Sequence, residues 1–305
     1  MRIASIDIGT NTILMLIADV QVDNTLVAIR DEHVIARLGA GVDRNKRILP
    51  ETIRRVEGVL RAYLAICRQE QCEKILAAGT SALRDAANRK EFLDHIARTH
   101  GLSIRVLSGE EEARLTYLGA VSGTQGIEDG RPLGVLDIGG GSTEVILGEG
   151  LNVRQALSAD VGAVRLTERC FRTLPPSEED LRRAQAFVRT SFRELPPIDG
   201  GRTFLGVAGT LTTLAALDLQ LKAYDRARVE GHLLSYERVS ELFDRLRGLS
   251  LPELLLIPQI LPQRADIILA GVVILHTCMT LGGIPVIRVS DRGLRYGLAM
   301  EALAS

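Results

Sequence analysis

Cysteine, net charge and long apolar runs are all scarce in this 305-residue sequence, and each scarcity excludes a class of protein. The four cysteines (Cys67, Cys72, Cys170, Cys278) are scattered, with no Cys-x-x-Cys pair and no dense His/Cys pattern. A disulfide-stapled secreted domain and a structural zinc site are therefore unsupported, and four reduced thiols in a cytoplasmic protein are expected. Lys plus Arg number 37 against 38 Asp plus Glu, a net charge of −1. Such a balance gives no bulk attraction for nucleic acid, so any polyanion must be met by a local basic groove. The longest apolar run, Ile267–Thr280, is short for a bilayer span and follows Arg264 and Asp266; it reads as a buried core helix. The opening MRIASIDIGT carries no hydrophobic signal core, so neither membrane nor export is expected. The histidines lie in unrelated contexts, and none is assigned a role.

The informative feature present is a duplication. Ile3–Gly9 (IASIDIG) is a β-type run ending in Asp-Ile-Gly, followed by Thr10-Asn11-Thr12 and a second apolar run, Ile13–Val20. Leu133–Gly141 (LGVLDIGGG) repeats this, with Ser142-Thr143 in the turn and Glu144–Leu147 starting the return strand. Each reads as a β-hairpin with a Gly/Ser/Thr/Asn turn. The first is followed by a strand (Thr25–Asp31), a helix (Pro50–Cys67), a strand (Lys74–Ala78), a helix (Ser81–Thr99), a strand (Ser103–Leu107) and a helix (Gly109–Val121). The second leads to Val153–Ser158, helices at Gly162–Phe171 and Ser177–Phe192, then Thr203–Val207, further helices, and a last strand, Pro285–Val289. This α/β order, used twice, predicts two domains, each a mixed sheet covered by helices. The expected division is 1–122 plus 292–305 against 123–291, with Gly123, Gly126 and Gly130 as hinge and a cleft between the halves.

Backbone N–H groups in a tight turn hold phosphate without carrying charge, and glycine lets them approach closely. The turns at Thr10-Asn11 and at Gly139, Gly140, Gly141 and Ser142 fit this use. Asp7 and Asp137, just before the turns, are placed to hold Mg²⁺ (or Mn²⁺) against the same phosphates. A third turn, Gly206-Val-Ala-Gly209-Thr210, joins a strand to a helix and would cap a ligand from the second domain. Ser108-Gly-Glu-Glu-Glu-Ala-Arg114 puts three carboxylates at a helix start. Ser108 and Glu111 make a capping box, which leaves Glu112 either solvated in the first turn or serving as the base that hydrolysis requires. Arg84 could reach a phosphate or pair with Asp85; Arg264 and Asp266 are equally open.

These segments in this order closely resemble the exopolyphosphatase/guanosine-pentaphosphate phosphohydrolase (Ppx/GppA) family of the actin-like ATPase superfamily. The resemblance runs through Ile6–Asn11, Arg37–Asp43, Gly79–Asp85, Leu107–Arg114, Asp137–Glu144, Gly162–Glu168, Gly206–Thr213, Arg264–Asp266 and Val289–Arg295. It implies two actin-like (ribonuclease H-like) lobes and release of orthophosphate from inorganic polyphosphate or guanosine pentaphosphate. It further implies Glu112 as general base, Thr10-Asn11 and Gly139–Ser142 as phosphate loops, Asp137 and Glu144 as metal-associated acids, and Arg84 as a substrate ligand. The terminal helix is expected to return to the first lobe, and a homodimer is expected. Longer relatives carry a helical C-terminal extension, and without one processive use of very long chains is not expected. Ala208 also stands where relatives often have glycine.

A sugar kinase or chaperone-type ATPase would share both Asp-Ile-Gly hairpins. Neither is expected to carry the Glu-Glu-Glu-Ala-Arg segment, and no acceptor-sugar site is evident. A non-catalytic sensor of guanosine tetra- or pentaphosphate would keep the loops but could dispense with Glu112, Asp137 and Glu144. Closure of the lobes on ligand is expected in either case.

Overall fold

A computed structural model describes residues 1–21, 25–123, 130–198 and 201–303. The suggested hinge at Gly126 lies outside these. The chain divides into two compact units, 1–119 with 294–305, and 120–293.

In the first unit, β1 (Arg2–Ile8), β2 (Thr12–Val20) and β3 (Leu26–Ile35) form an antiparallel meander. A short α1 (Val42–Asn45) and the long α2 (Pro50–Gln69) lead to β4 (Lys74–Gly79), which pairs parallel with β1. After α3 (Ser81–Asp85) and α4 (Arg89–His100), β5 (Arg105–Val106) adds in parallel beyond β4, and α5 (Gly109–Val121) follows. The strand order is β3-β2-β1-β4-β5. β1 reads as a nearly continuous apolar run because it is central and covered on both faces. Ala4, Ile6 and Ile8 pack with Val56, Leu60 and Tyr63 of α2. On the other face Ile3 meets Tyr296 and Ala299 of the C-terminal helix, Leu294–Glu301, and Ala302 just beyond it.

That helix is fastened to the first unit by specific bonds. Arg295 donates to both oxygens of Asp31 at 2.9 and 2.8 Å, and Ser5 Oγ donates to the Arg295 carbonyl at 2.6 Å. At Gly297 an added Cβ would lie 1.8 Å from the Leu115 carbonyl oxygen, so only glycine permits this approach to α5.

The second unit repeats the plan. It runs β6 (Pro132–Ile138), β7 (Thr143–Glu149), β8 (Asn152–Ala159), α6 (Ala163–Cys170), α7 (Glu178–Ser191), β9 (Thr203–Val207) and α8 (Ala208–Asp218). Then come α9 (Arg226–Val229), β10 (Leu233–Ser235), α10 (Tyr236–Leu246), α11 (Leu251–Leu255), α12 (Ile268–Gly282) and β11 (Val286–Val289). The order is β10-β11-β9-β6-β7-β8, so β6, β9 and β11 take the places of β1, β4 and β5. The three-residue β10 is an added antiparallel edge that was not expected. α12 is apolar nearly all round and buried, as its sequence predicts, within a core that includes Leu242 of α10 and Val188 of α7. Among the described residues no helix is long and apolar enough to cross a membrane.

One expected element divides. The helix predicted over Ser81–Thr99 breaks between α3 and α4. Asn88 Oδ1 accepts from Ile48 N–H at 2.9 Å while its Nδ2 donates to the Ile48 carbonyl at 3.0 Å, and Ala87 N–H is drawn to the Lys46 carbonyl at 2.7 Å. These bonds to a distant loop replace the helical ones.

Candidate active site

Each hairpin turn is oriented by what its carbonyls bind. In the first unit Gly39 N–H donates to the Thr10 carbonyl and Arg37 N–H to the Asn11 carbonyl, both at 2.8 Å. In a trans peptide the next N–H points away from the carbonyl. The amides of Asn11 and Thr12 are thus turned away from the 37–39 segment. Thr10 Oγ1 and Asn11 Oδ1 are buried and find no hydrogen-bond partner among the described residues. Buried polar atoms without partners are costly, and a ligand that supplies partners would be favoured there. A Cβ on Gly39 would sit 2.2 Å from Thr10 Cγ2, so the supporting segment must be glycine at this point.

In the second unit the support is the start of α6. Ala163 N–H donates to the Gly139 carbonyl at 2.9 Å, and Val164 and Arg165 N–H donate to the Gly140 carbonyl at 2.9 and 3.1 Å. Arg165 Nε donates to the Gly141 carbonyl at 2.7 Å. With three successive carbonyls fixed on one side, the N–H groups of Gly140, Gly141 and Ser142 face the other, a nest suited to an anion. Arg165 went unassigned in the sequence. Its signal was a cation in the first turn of a helix, where the macrodipole disfavours positive charge.

The carboxylates follow the hairpin register. Asp137 lies directly opposite Glu144, whereas Asp7 lies opposite Leu14. Cross-strand neighbours share a face, so the second hairpin presents two carboxyl groups together and the first presents one. Glu144 is buried, and Ser158 Oγ donates to its Oε1 at 2.8 Å. Among the described residues no three His, Cys, Asp or Glu side chains cluster to enclose a metal. A pair of hard oxygen ligands suits Mg²⁺, which takes one or two carboxylates and completes its shell with water and phosphate oxygens.

Glu112 projects from the first turn of α5. The capping box holds as expected: Ser108 N–H donates to Glu111 Oε2 at 2.8 Å, and Glu111 N–H to Ser108 Oγ at 3.1 Å. Glu112 is not solvated; it is buried and paired with Arg84 Nη1, which also donates to the Leu107 carbonyl at 3.1 Å. Burial pushes the Glu112 carboxyl above its usual range, against the opposing pull of Arg84. α3 and α5 thus bring together two residues 28 apart in sequence.

At the third turn, Gly209 and Thr210 open α8, and Ala208 has φ 72°. This left-handed conformation is one that glycine adopts at no steric cost. The guanidinium of Arg264 lies against Gly209, where an added Cβ would meet it at 2.5–2.8 Å. Arg264 Nη1 donates to the Gly209 carbonyl at 3.1 Å, and no carboxylate among the described residues lies within ion-pair reach of it. Burial makes this guanidinium less basic than usual, while Tyr224 and Asp291 act in the opposite sense. A partly buried cation without an acid partner, beside a helix start, is suited to an anion.

Comparison with known proteins shows the family that the sequence resembles. The Ppx/GppA phosphatase family matches residues 16–305. Exopolyphosphatase 2 of Mycobacterium tuberculosis is 36% identical over 315 residues, covering 98% of each chain. A guanosine-5′-triphosphate,3′-diphosphate pyrophosphatase of Vibrio atlanticus is 30% identical over 98% of this chain but 58% of its own. The crystal structure of the Aquifex aeolicus Ppx/GppA family member superposes with a TM-score of 0.84 at 34% identity, covering 100% of this chain and 98% of that one.

Proposed function

We propose, for a chain that belongs to the Ppx/GppA phosphatase family, that it is an exopolyphosphatase releasing terminal orthophosphate from inorganic polyphosphate. Phosphoanhydride hydrolysis is the activity of its relatives on both the polyphosphate and the guanosine pentaphosphate side. Polyphosphate is preferred because the exopolyphosphatase is matched over 98% of its length and the guanosine-nucleotide relative over 58%. Guanosine pentaphosphate is the second reading.

The observation that carries the mechanism is the buried Glu112 carboxylate held by Arg84. A base with a raised pKa lies closer to the working pH and accepts a proton more readily. Water adds to the terminal phosphorus, its proton passes to Glu112, and the bridging P–O bond breaks to release orthophosphate and the shortened chain. Arg84 orients the carboxylate. The amides of Asn11, Thr12, Gly140, Gly141 and Ser142, with the groups at Thr10, Gly209 and Thr210, hold phosphate oxygens. Arg264 adds a fixed positive charge. Asp137 and Glu144 would hold Mg²⁺ (or Mn²⁺), with Asp7 as a further acid; the bound ion neutralises phosphate charge.

The same reading takes the enzyme to be cytoplasmic, supported by four cysteines free of disulfides, and a homodimer, supported by exposed leucines such as Leu255 and Leu256. The direct test is orthophosphate release with Mg²⁺ from polyphosphates of several lengths and from guanosine pentaphosphate. Polyphosphate turnover exceeding nucleotide turnover is expected; the reverse order would make guanosine pentaphosphate the substrate.

A further inference from the structure

Glu230 closes α9 and belongs to none of the segments that carry the family resemblance, yet it organises the strand end beside the third phosphate turn. Ser290 Oγ donates to Glu230 Oε1 at 3.0 Å, and Asp291 N–H donates to Oε2 at 2.7 Å. The same Ser290 hydroxyl accepts from Arg292 N–H at 3.2 Å. The two residues that follow Glu230 are tied to the same segment through the backbone: Gly231 N–H donates to the Val289 carbonyl and Val289 N–H to the His232 carbonyl, each at 2.8 Å. One side chain therefore fixes three consecutive residues after β11.

Those residues border the turn that holds Arg264. Ser290 N–H donates to the Gly206 carbonyl at 2.8 Å, two residues before the left-handed Ala208. Asp291 is bound by Arg226 at 2.9 Å and lies near enough to Arg264 for its charge to act on the guanidinium. Ser290 is buried, so its hydroxyl needs both of its partners. Loss of the Glu230 acceptor would leave the Asp291 amide and the Ser290 hydroxyl to find others, and the segment would move.

We propose that Glu230 is a positioning residue for substrate binding, holding Ser290–Arg292 so that the Gly206–Thr210 turn and Arg264 keep the geometry that grips phosphate. The inference rests on the phosphohydrolase reading above. A glutamine is nearly the same size, but its amide can turn only one acceptor oxygen to two donors.

The test uses the full chain and compares wild type, Glu230→Gln, Ser290→Ala and the double variant. Steady-state orthophosphate release from polyphosphate, polyphosphate binding by titration calorimetry, and thermal unfolding are measured for each. Glu230→Gln is expected to raise KM and Kd about tenfold, the worth of a hydrogen bond to a charged group, with kcat changed far less. Ser290→Ala is expected to raise them by about threefold, and the double variant by less than the product, since both act through one segment. KM and Kd within twofold of wild type in both single variants, at a temperature where they are folded, would overturn the proposal even if melting falls. Should Glu230→Gln fail to fold, Ser290→Ala decides alone. A wild type that binds polyphosphate without turnover would sink the hydrolase reading and leave the Kd ratios to judge Glu230; one that does neither would sink both.

Discussion

Gly162→Ala should displace the Gly139–Ser142 turn, the proposed second phosphate loop, from a position that is not itself assigned to phosphate. Gly162 has φ −141°, which alanine adopts freely, so the perturbation is one of packing and not of backbone conformation. An added Cβ would lie 2.4 Å from Gly140 C, 2.5 Å from Gly141 N and 2.6 Å from the Gly140 carbonyl oxygen. Ordinary contact with such atoms begins at about 3.5 Å, so loop and helix start must part by about 1 Å. The bonds from Ala163, Val164 and Arg165 N–H to the loop, now 2.9, 2.9 and 3.1 Å, would stretch out of range together. Overpacking of this kind costs about 1–3 kcal/mol of stability. A phosphate site displaced by about 1 Å loses about 100-fold in rate. Orthophosphate release and a thermal melt on the same preparation read both effects. A folded variant whose kcat/KM stays within threefold of wild type would refute the reasoning, because it would show that the α6 contacts do not set the loop.

Two further outcomes follow from single observations. Ala208→Gly relieves left-handed strain of about 1–2 kcal/mol and gives back about 0.4–1 through the freer unfolded chain. A melting temperature about 2 °C higher is expected, and an unchanged or lower one would mean that Ala208 is not strained. Because burial raises the Glu112 carboxyl and the base must be ionised, activity should rise with pH along a limb whose midpoint lies above the ordinary glutamate value of about 4.3. A kcat/KM profile with its acid limb at or below that value would remove Glu112 as the titrating base.

Much of this could be read before any coordinates, and what could not has identifiable causes. The two Asp-Ile-Gly hairpins and the Ser108–Glu111 capping box are local patterns, in which residues three or four apart decide the outcome. The repeat of strand order in the two sheets followed from the same duplication. The pairing of Arg84 with Glu112 was not legible, because it depends on how α3 and α5 are brought together by the sheet. Nor was the break at Asn88, where a bidentate grip on Ile48 outweighs local helix propensity. β10 spans three residues, too few for a period to register. Glu230 has no sequence signal at all, since its partners lie 60 and 61 residues away.

The central claim is that Glu112 is the base of a phosphoanhydride hydrolase, and Glu112→Gln tests it most directly. Glutamine keeps the shape and can still accept from Arg84, but it cannot take a proton from water. Measured with Mg²⁺ on polyphosphate, the account predicts that orthophosphate release falls by about 10²–10⁴-fold while polyphosphate binding and the melt are retained. Turnover within tenfold of wild type would contradict it.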